Sequence, residues 1–320
     1  MQIYPVFIPN RGCPFKCIYC DQTQLDGTSE ESFAQLSQNI ADFCQLHSTQ
    51  EKQIAFYGGT FTGLTLSERE AYYKLAAPFL DENTSLRIST RPDQVETTDL
   101  EWCKTHGVKT IELGIQDFNE EVLQASRRGY NSWTAISACR RVQAYGFEFG
   151  VQLMPGLPNF SNASMEENKM VLQELHPSYL RLYPLIIIRG TVLWETWKAG
   201  KFNPLSMEDA IDICADYCIL AQQNNISVIK IGIPPLRKGS EYAGPYHPAF
   251  GELVKGELLI RDIVAGYNSE TSIFLSTLDI SLLTAHEGYN ISKLMNRLGR
   301  DDVKIMSDLN LAQGEIKYIR

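Results

Sequence analysis

The chain has 320 residues, of which 44% are hydrophobic and 21% charged, as is typical of a globular protein. This length supports one large domain with a smaller appendage. The formal net charge of −9, from 29 basic and 38 acidic residues, argues against a large nucleic-acid-binding surface but leaves a local basic patch open. No apolar run approaches the roughly 18 residues that cross a bilayer, so we expect no membrane association.

The sequence also indicates a cellular compartment. Residues 1–10 lack a basic region ahead of an apolar stretch, so no export signal is visible. Eight cysteines without such a signal favour a reducing environment, where thiols bind metals or pack in the core. We therefore expect a cytoplasmic protein.

Apolar, β-branched runs alternate with helical patterns up to about residue 233. The strand candidates are Ile3–Ile8, Gln53–Tyr57, Ser85–Ser89, Lys109–Ile115, Glu148–Met154, Ser178–Ile188 and Ser227–Ile233. Nearly continuous apolar strands separated by helices are typical of buried parallel strands in βα units. Six or seven such units predict an α/β fold with a partial or near-complete (βα)6-7 TIM-like barrel.

Capping signals predict where the helices begin and end. A polar residue followed three positions later by an acidic one predicts a helix start. The pairs are Thr28 with Glu31, Ser67 with Glu70, Thr98 with Glu101, Ser164 with Glu167, and Ser206 with Asp209. Gly107 and Gly146 are predicted to end helices, the second of which spans Ser132–Tyr145.

Three cysteines, Cys13, Cys17 and Cys20, follow the first predicted strand and point to a metal. A structural zinc site closes with four protein ligands, and the other five cysteines are scattered singly along the chain. A 4Fe-4S cluster fits better, because three thiolates leave one iron free for an outside ligand. Zinc, or a chance grouping of cysteines, remains the alternative. In a barrel this loop lies at the catalytic mouth, after a strand's carboxyl end.

The pattern Cys-x3-Cys-x-aromatic-Cys resembles the signature of the radical S-adenosylmethionine (SAM) superfamily. The resemblance implies that the free iron binds the amino and carboxylate groups of SAM. One electron then cleaves SAM to a 5′-deoxyadenosyl radical. It also implies a radical SAM barrel and places the backbone near Tyr19 beside the adenine.

Two further strand ends carry motifs similar to those of this family. Gly58, Gly59 and Thr60 resemble a Gly-Gly-Glu-like motif that binds the amino group of SAM, in the form seen in the catalytic subunit of Elongator. By composition alone the glycine pair is equally typical of a tight turn. The motif that begins at Ser89 resembles an Elongator-like Glu-Thr-Arg-Pro-Asp segment. Related coproporphyrinogen oxidases use the leading glutamate to hold SAM, so the serine weakens the expected contact.

The next two strands supply further expected SAM contacts. Gln116 and Arg128 match a glutamine and an arginine that contact SAM in the coproporphyrinogen oxidase branch. An amide and a guanidinium suit ribose hydroxyls and a carboxylate. The alternative for Arg127 and Arg128 is a solvated charge pair at a helix end. Gln152 lies in a segment that contacts the adenine in the family, whereas Met154 is expected mainly to pack in the core.

Residues 182–193 are similar to an Elongator segment that contains Tyr-Pro and Ile-Arg-Gly-Thr, so the chain resembles the Elongator-like branch over about 1–233. It departs from that subunit because only twelve residues precede Cys13 and no acetyltransferase-like segment follows. Acetyl transfer within this chain is therefore not expected. Cys214 and Cys218 share one apolar helix stripe and are expected to be core residues rather than ligands.

We predict three parts: a barrel over 1–233, a lid or linker over 234–265, and a small α/β module over 266–320. Residues 246–250 are expected to lie across the barrel mouth, with His247 as a substrate-side acid or base or simply an exposed residue. The predicted elements of the last module are strands Ser272–Ser276, Val303–Met306 and Glu315–Tyr318 and a helix near Asn290–Leu298. Its segment 285–291 faintly resembles the Gly-x-x-Gly loop of RNA-binding KH domains, but it lacks the first glycine and carries Glu287.

Together these features predict an enzyme that carries a [4Fe-4S] cluster and uses SAM to generate a radical on an unidentified substrate. The resemblance implies an external one-electron reductant of the flavodoxin or ferredoxin type. A small-molecule substrate is favoured and RNA is possible. The alternatives are an Elongator-like tRNA-modifying enzyme and a non-enzymatic iron–sulfur or RNA-binding protein.

Overall fold

The computed structural model describes residues 1–25, 32–268 and 272–319. Seven parallel strands form one curled, open sheet, which is half of a barrel and confirms the predicted fold class. In sheet order the strands are β1 (Gln2–Phe7), β2 (Lys52–Tyr57), β3 (Thr84–Thr90), β4 (Val108–Gln116), β5 (Glu148–Leu153), β6 (Tyr179–Leu182) and β8 (Ser227–Ile231).

Helices follow most of the strands, as expected of βα units. Their bounds are α1 (Phe33–Leu46), α2 (Leu66–Ala76), α3 (Thr97–Thr105), α4 (Glu120–Ala125), α5 (Ser132–Ala144), α6 (Asn162–Leu175), α7 (Val192–Lys198), α8 (Met207–Gln223), α9 (Phe250–Gly266) and α10 (Thr277–Leu298). Within the described residues, no helix has both the length and the apolar character that a membrane span requires.

The two faces of the large sheet differ sharply in polarity. Alternate residues such as Ile54, Ile88 and Ile111 pack with helix side chains in the main core. The residues between them, such as Arg87 and Glu112, are also buried but lie on the opposite, concave face. The helices therefore cover one face, and the other face surrounds a polar interior.

One predicted strand, Ser178–Ile188, is wrong in extent. The chain leaves the large sheet after β6, because Pro184 has no N–H to donate to a strand ladder. A second short strand, β7 (Ile187–Ile188), pairs instead with antiparallel β9 (Tyr242–Ala243). The other six predicted strands match observed strands to within two residues at each end.

The predicted helix starts are correct only in part. Ser206 caps α8 as predicted, and its hydroxyl accepts from the Asp209 N–H at 3.0 Å. The helices α2, α3 and α6 begin two or three residues earlier than predicted, because Thr65, Glu96 and Ser161 act as the caps. The Thr28 pair lies outside the described residues. Gly107 and Gly146 follow α3 and α5 with φ of +75° and +79°, which confirms both predicted helix ends.

The C-terminal module has a three-stranded sheet of its own. Its strands are β10 (Ser272–Leu275), β11 (Ile305–Ser307) and β12 (Ile316–Ile319), in the order β11-β10-β12. These overlap the three predicted strands. Helix α10 is longer than predicted and is interrupted at 285–288, where His286, Glu287 and Gly288 have positive φ.

Helix α9 contributes to two hydrophobic cores. Near its start, Phe250, Leu253 and Val254 pack in the main core. Near its end, Ile260 and Ile263 pack with residues of β10 and α10 in the core of the C-terminal module. The predicted linker segment therefore contains a buried helix that belongs to both parts of the molecule.

Candidate functional site

A cavity of about 580 Å³ opens at the carboxyl ends of the parallel strands. Its volume lies within the range of small-molecule and cofactor sites. The structure brings all of the predicted site residues to this one cavity. They are Cys13, Cys17, Tyr19, Cys20, Gly58, Gly59, Thr60, Ser89, Gln116, Arg128 and Gln152.

The three cysteines lie on the loop after β1, and each thiol has a different neighbour. Cys13 Sγ lies 3.2 Å from Thr60 Oγ1, and Cys20 Sγ donates to the side-chain oxygen of Asn10 at 3.7 Å. Cys17 Sγ accepts from the guanidinium of Arg128 at 3.2 Å. Burial, reinforced by the neighbouring thiols, raises the pKa of Cys20 to about 12. This thiol therefore needs a bound metal to hold it as a thiolate at neutral pH.

The donor set fits an iron–sulfur cluster better than a single zinc ion. Among the described residues, no three His, Cys, Asp or Glu side chains converge closely enough to hold one ion. In a 4Fe-4S cluster each thiolate binds a different iron, so convergence on one point is not needed. Arg91 Nη1 also lies 3.6 Å from Cys17 Sγ. Two guanidinium groups therefore flank the Cys17 sulfur and can donate hydrogen bonds to it when it binds a cluster.

The glycine pair after β2 supports the cysteine loop. A Cβ on Gly59 would lie 2.2 Å from the carbonyl oxygen of Arg11 and 2.6 Å from that of Ile8, so only glycine fits. The Thr60 N–H donates to the same Arg11 oxygen at 2.8 Å. Gly58 has a φ of +102°, which favours glycine. The requirement at Gly59 thus comes from backbone packing against the cysteine loop, whereas the sequence had suggested ligand approach.

Arg128 is buried, which excludes the solvated-pair interpretation for this residue. Its Nη1 donates to the Tyr19 hydroxyl at 3.0 Å, and its Nε donates to the Tyr130 hydroxyl at 2.9 Å. Its Nη2 donates to the carbonyl oxygen of Gly114 at the end of β4. Arg127, by contrast, is exposed. The cavity wall therefore contains a fixed cation between the cysteine loop and β4.

Two amide side chains lie together at the ends of β4 and β5. Gln152 Nε2 donates to Gln116 Oε1 at 3.0 Å. Gln116 has a φ of +71°, a left-handed conformation that costs a non-glycine residue about 1 kcal/mol and is concentrated at functional sites. Met154, expected mainly in the core, packs on an apolar cluster that includes Tyr19 and also lines the cavity.

Several residues of the cavity were not assigned from the sequence. Arg91 pairs with Asp93 at 2.9 Å and lies 4.5 Å over the ring of Phe15. Its Nη2 donates to the carbonyl oxygen of Arg128. Arg91 belongs to the sequence motif that begins at Ser89. The motif therefore drew attention to this strand end, but the sequence analysis assigned a SAM contact to Ser89 and not to Arg91.

Deeper in the half-barrel, Arg181 joins three strands. Its Nη2 lies 2.6 Å from the Tyr57 hydroxyl on β2, and its Nε lies 2.7 Å from Glu112 Oε2 on β4. The Tyr179 hydroxyl donates to that carboxylate at 3.4 Å, and Ser89 is the register partner of Glu112 on β3. The candidate SAM contact at Ser89 therefore lies beside the polar interior.

His247 does not line the cavity. Its Nδ1 accepts from the Ala249 N–H at 3.1 Å, and its ring packs edge-on against His286 at 5.0 Å between centroids. Pro234, at the start of the predicted lid, lines the cavity, and the following Leu236 and Arg237 bond to residues 24–25 after the cysteine loop. The position of His247 does not support a role in acid or base catalysis.

Comparison with known proteins gives two matching family models. The radical SAM superfamily model matches residues 7–169, and a radical SAM C-terminal domain model matches residues 177–259. A tRNA uridine(34) acetyltransferase from Methanocaldococcus infernus is 27% identical over 192 residues, which is 52% of this chain and 35% of that protein. Elongator complex protein 3 from Mus musculus is 28% identical over 259 residues, covering 73% and 47%. The chain thus spans about a third to a half of these relatives.

Solved structures show the same fold. The archaeal Methanocaldococcus infernus Elp3 with an N-terminal deletion has a TM-score of 0.63 at 21% identity, covering 82% of this chain and 63% of that one. Coproporphyrinogen III oxidase from Escherichia coli has a TM-score of 0.51 at 20% identity, covering 70% and 52%. At these identities the likeness establishes the fold alone.

Proposed function

This chain belongs to the radical SAM superfamily, and on that premise we propose that it cleaves SAM reductively and directs the resulting radical at an unidentified substrate. Enzymes of this superfamily use a [4Fe-4S] cluster and SAM. The observation that carries the proposal is that the three cysteines and eight further candidate contacts line one cavity. When bound, the two cofactors supply a 5′-deoxyadenosyl radical.

In this proposal each group of residues has a distinct task. Cys13, Cys17 and Cys20 would hold the cluster. The residues proposed to contact SAM are Tyr19, Gly58, Gly59, Thr60, Ser89, Gln116, Arg128 and Gln152. Arg128 supports the proposal because it is a buried cation within reach of both Cys17 and Tyr19. The paired amides of Gln116 and Gln152 offer donors and acceptors of the kind that ribose hydroxyls need.

We propose an external one-electron reductant of the flavodoxin or ferredoxin type, since enzymes of this family generally need one. All eight cysteines are free thiols, and four of those outside the motif are buried in the main core: Cys103, Cys139, Cys214 and Cys218. The free thiols also support the proposed cytoplasmic location. We further propose that residues 1–233 carry the chemistry, that 234–265 serve as a lid or linker, and that 266–320 form the appended module.

The test is anaerobic reconstitution of the full chain with iron and sulfide, followed by dithionite and SAM. The wild type should show iron–sulfur absorbance and form 5′-deoxyadenosine. Cys17→Ala should lose both, because two thiolates cannot hold the cluster in place. Cys214→Ala is the matched control and should retain the absorbance. One equivalent of tightly bound zinc in the native protein would contradict the proposal, and an intact cluster without SAM cleavage would favour a non-enzymatic iron–sulfur protein.

A second candidate function is tRNA modification, because the relatives include tRNA uridine(34) acetyltransferases. We favour a small-molecule substrate, since the net charge of −9 opposes a broad RNA contact. A gel-shift of the full chain with bulk tRNA at two salt concentrations separates the two. A tight complex that weakens steeply with salt would favour the tRNA function.

A further inference from the structure

The interior of the half-barrel holds a cluster of polar side chains that the proposed cofactor contacts do not use. We call it the floor cluster, and its members are Tyr57, Arg87, Glu112, Arg181 and Tyr183. Its Glu112 lies deeper than Gln116, because it precedes that residue by two inward-facing positions on β4, and it is level with Ser89 on β3. All of its members except Arg87 line the cavity.

Arg181 organises the floor cluster by holding two phenol groups at once. Its Nη1 donates to the Tyr183 hydroxyl at 3.0 Å, and its Nη2 donates to the Tyr57 hydroxyl at 2.6 Å. The Tyr57 contact spans the interior from β6 to β2, and the guanidinium carbon lies 4.6 Å over the Tyr57 ring. One planar guanidinium therefore fixes the positions of both phenol oxygens.

Both phenol protons are available to a ligand. Each hydroxyl accepts from Arg181, and within the described residues neither one donates a hydrogen bond. A hydroxyl that accepts from a cation is polarised into a stronger donor. Since both residues line the cavity, the floor cluster presents two oriented O–H donors to whatever occupies it.

The charges of the floor cluster do not balance. Arg87 is 2% exposed, and its Nε donates to Gln53 Oε1 at 2.7 Å. Its Nη1 is buried and has no hydrogen-bond partner among the described residues. Arg87 makes no ion pair with any described residue, and Glu112, the one carboxylate of the floor cluster, pairs with Arg181. The cluster thus carries at least one net positive charge. A buried cation in excess is costly unless an anion from elsewhere offsets it.

We infer that the substrate is a small molecule with an anionic oxygen group, a carboxylate or a phosphate, which accepts hydrogen bonds from Tyr57 and Tyr183. This inference rests on the proposed function. The anionic group would lie over the floor cluster and leave the opposite end of the substrate facing the cofactor residues. With SAM in a cavity of about 580 Å³, there is room for a small molecule.

The test measures the binding of three probes of similar size to the cluster-reconstituted, SAM-loaded protein. The probes are benzoate, phenyl phosphate and neutral benzamide. We expect one of the two anions to bind about tenfold or more tightly than benzamide, as a charged hydrogen bond predicts, and the tighter anion identifies the group. The double variant Tyr57→Phe, Tyr183→Phe should lose this preference, while the distant Tyr145→Phe should keep it. Equal binding of the three probes to the wild type, or an unchanged preference in the double variant, would overturn the inference.

A second measurement separates this inference from the proposed function. Without substrate, the double variant should still form 5′-deoxyadenosine from SAM and dithionite at the wild-type level, because neither phenol is assigned to SAM. Loss of the product in the double variant alone would show that the phenols serve SAM and would overturn the inference. Loss in the wild type would contradict the proposed function, and the probe binding would still decide the inference.

Discussion

Two fully buried glutamates lie in different surroundings, and their contrast separates a structural charge cluster from a cluster with unused binding capacity. Glu257 lies between α9 and α10 and bonds Arg261, Lys293 and Arg297 at 2.7 to 3.0 Å. Glu112 lies in the barrel interior beside Arg181. In the part of the chain that the structure describes, the first carboxylate has three direct cationic partners, whereas the second has one.

The pKa values of the two groups shift in opposite directions. Burial raises the pKa of Glu112 above its usual range, and the nearby Arg181 and Arg87 only partly offset this. Burial also acts to raise the pKa of Glu257, but hydrogen bonds from its three cationic partners outweigh it and the pKa is lowered. We call Glu257 and its three cationic partners the helix cluster. It further includes Asp212 and Asp216, whose negative charges balance its cations. The comparison shows two roles for buried charge. A cluster whose positive and negative charges are equal stabilises the fold, whereas a cluster in a cavity with excess positive charge can bind an anionic ligand.

The largest expected effect is at Glu257. Glu257→Ala leaves Arg261, Lys293 and Arg297 without their shared carboxylate, so we expect the free energy of unfolding to fall by about 3–5 kcal/mol. Anaerobic urea unfolding measures this. Glu252→Ala, on the same helix but largely exposed in its pair with His286, should cost less than about 1 kcal/mol. A similar small loss for both variants would show that the helix cluster contributes little.

Removal of Arg181 should have a smaller effect on stability. Arg181→Met removes the cation that pairs with Glu112, and we expect a loss of about 2–3 kcal/mol in the free energy of unfolding. Arg189→Met, at an exposed arginine paired with Glu241, is the control and should cost less than about 1 kcal/mol. Arg181→Lys should keep more stability but lose the anion preference, because an ammonium lacks the planar fork that holds two phenols. If the lysine variant still preferred the anionic probe as strongly as the wild type, the planar guanidinium of Arg181 would not be needed to position the two phenols.

The smallest effect is a difference in pH dependence between the two glutamates. The folded-state pKa of Glu112 is raised, so its ionisation destabilises the fold as the pH rises from the unfolded pKa of about 4.3 through the folded pKa. The folded-state pKa of Glu257 is lowered, so its contribution is present above about pH 4.3 and is lost as the pH falls through the folded pKa. Each slope is at most about 1.4 kcal/mol per pH unit.

Urea unfolding of the wild type, Glu112→Gln and Glu257→Gln across this pH range provides the measurement. Relative to Glu112→Gln, the wild type should lose stability as the pH rises. Relative to Glu257→Gln, it should lose stability as the pH falls. Slopes of the same sign for both glutamates would contradict the contrast between the two clusters.

The sequence predicted the cavity residues well, because their motifs follow strand ends and the carboxyl ends of parallel strands meet at one edge. Cys17 stood out by the spacing of the cysteines, whereas Gly59 and Gln116 were singled out by the resemblance to radical SAM proteins. The floor cluster was not predictable, since the contact of Arg181 with Tyr57 joins residues 124 apart in the chain and depends on the curvature of the sheet. The helix starts shifted because several adjacent polar residues could act as caps, and only packing selects among them.

The position of α9 in two cores has a consequence for how the molecule unfolds. If the C-terminal module unfolded alone, Ile260 and Ile263 would lose their packing contacts in its core. Phe250 and Val254, on the same helix, would remain packed in the main core. A single helix cannot easily be half melted, because its hydrogen bonds form cooperatively. Heat or denaturant should therefore unfold the two parts in one transition. A destabilising mutation in the appended module would then lower the fraction of folded molecules. It would thereby reduce the number of molecules that can bind a cofactor, although it lies far in sequence from the cysteines.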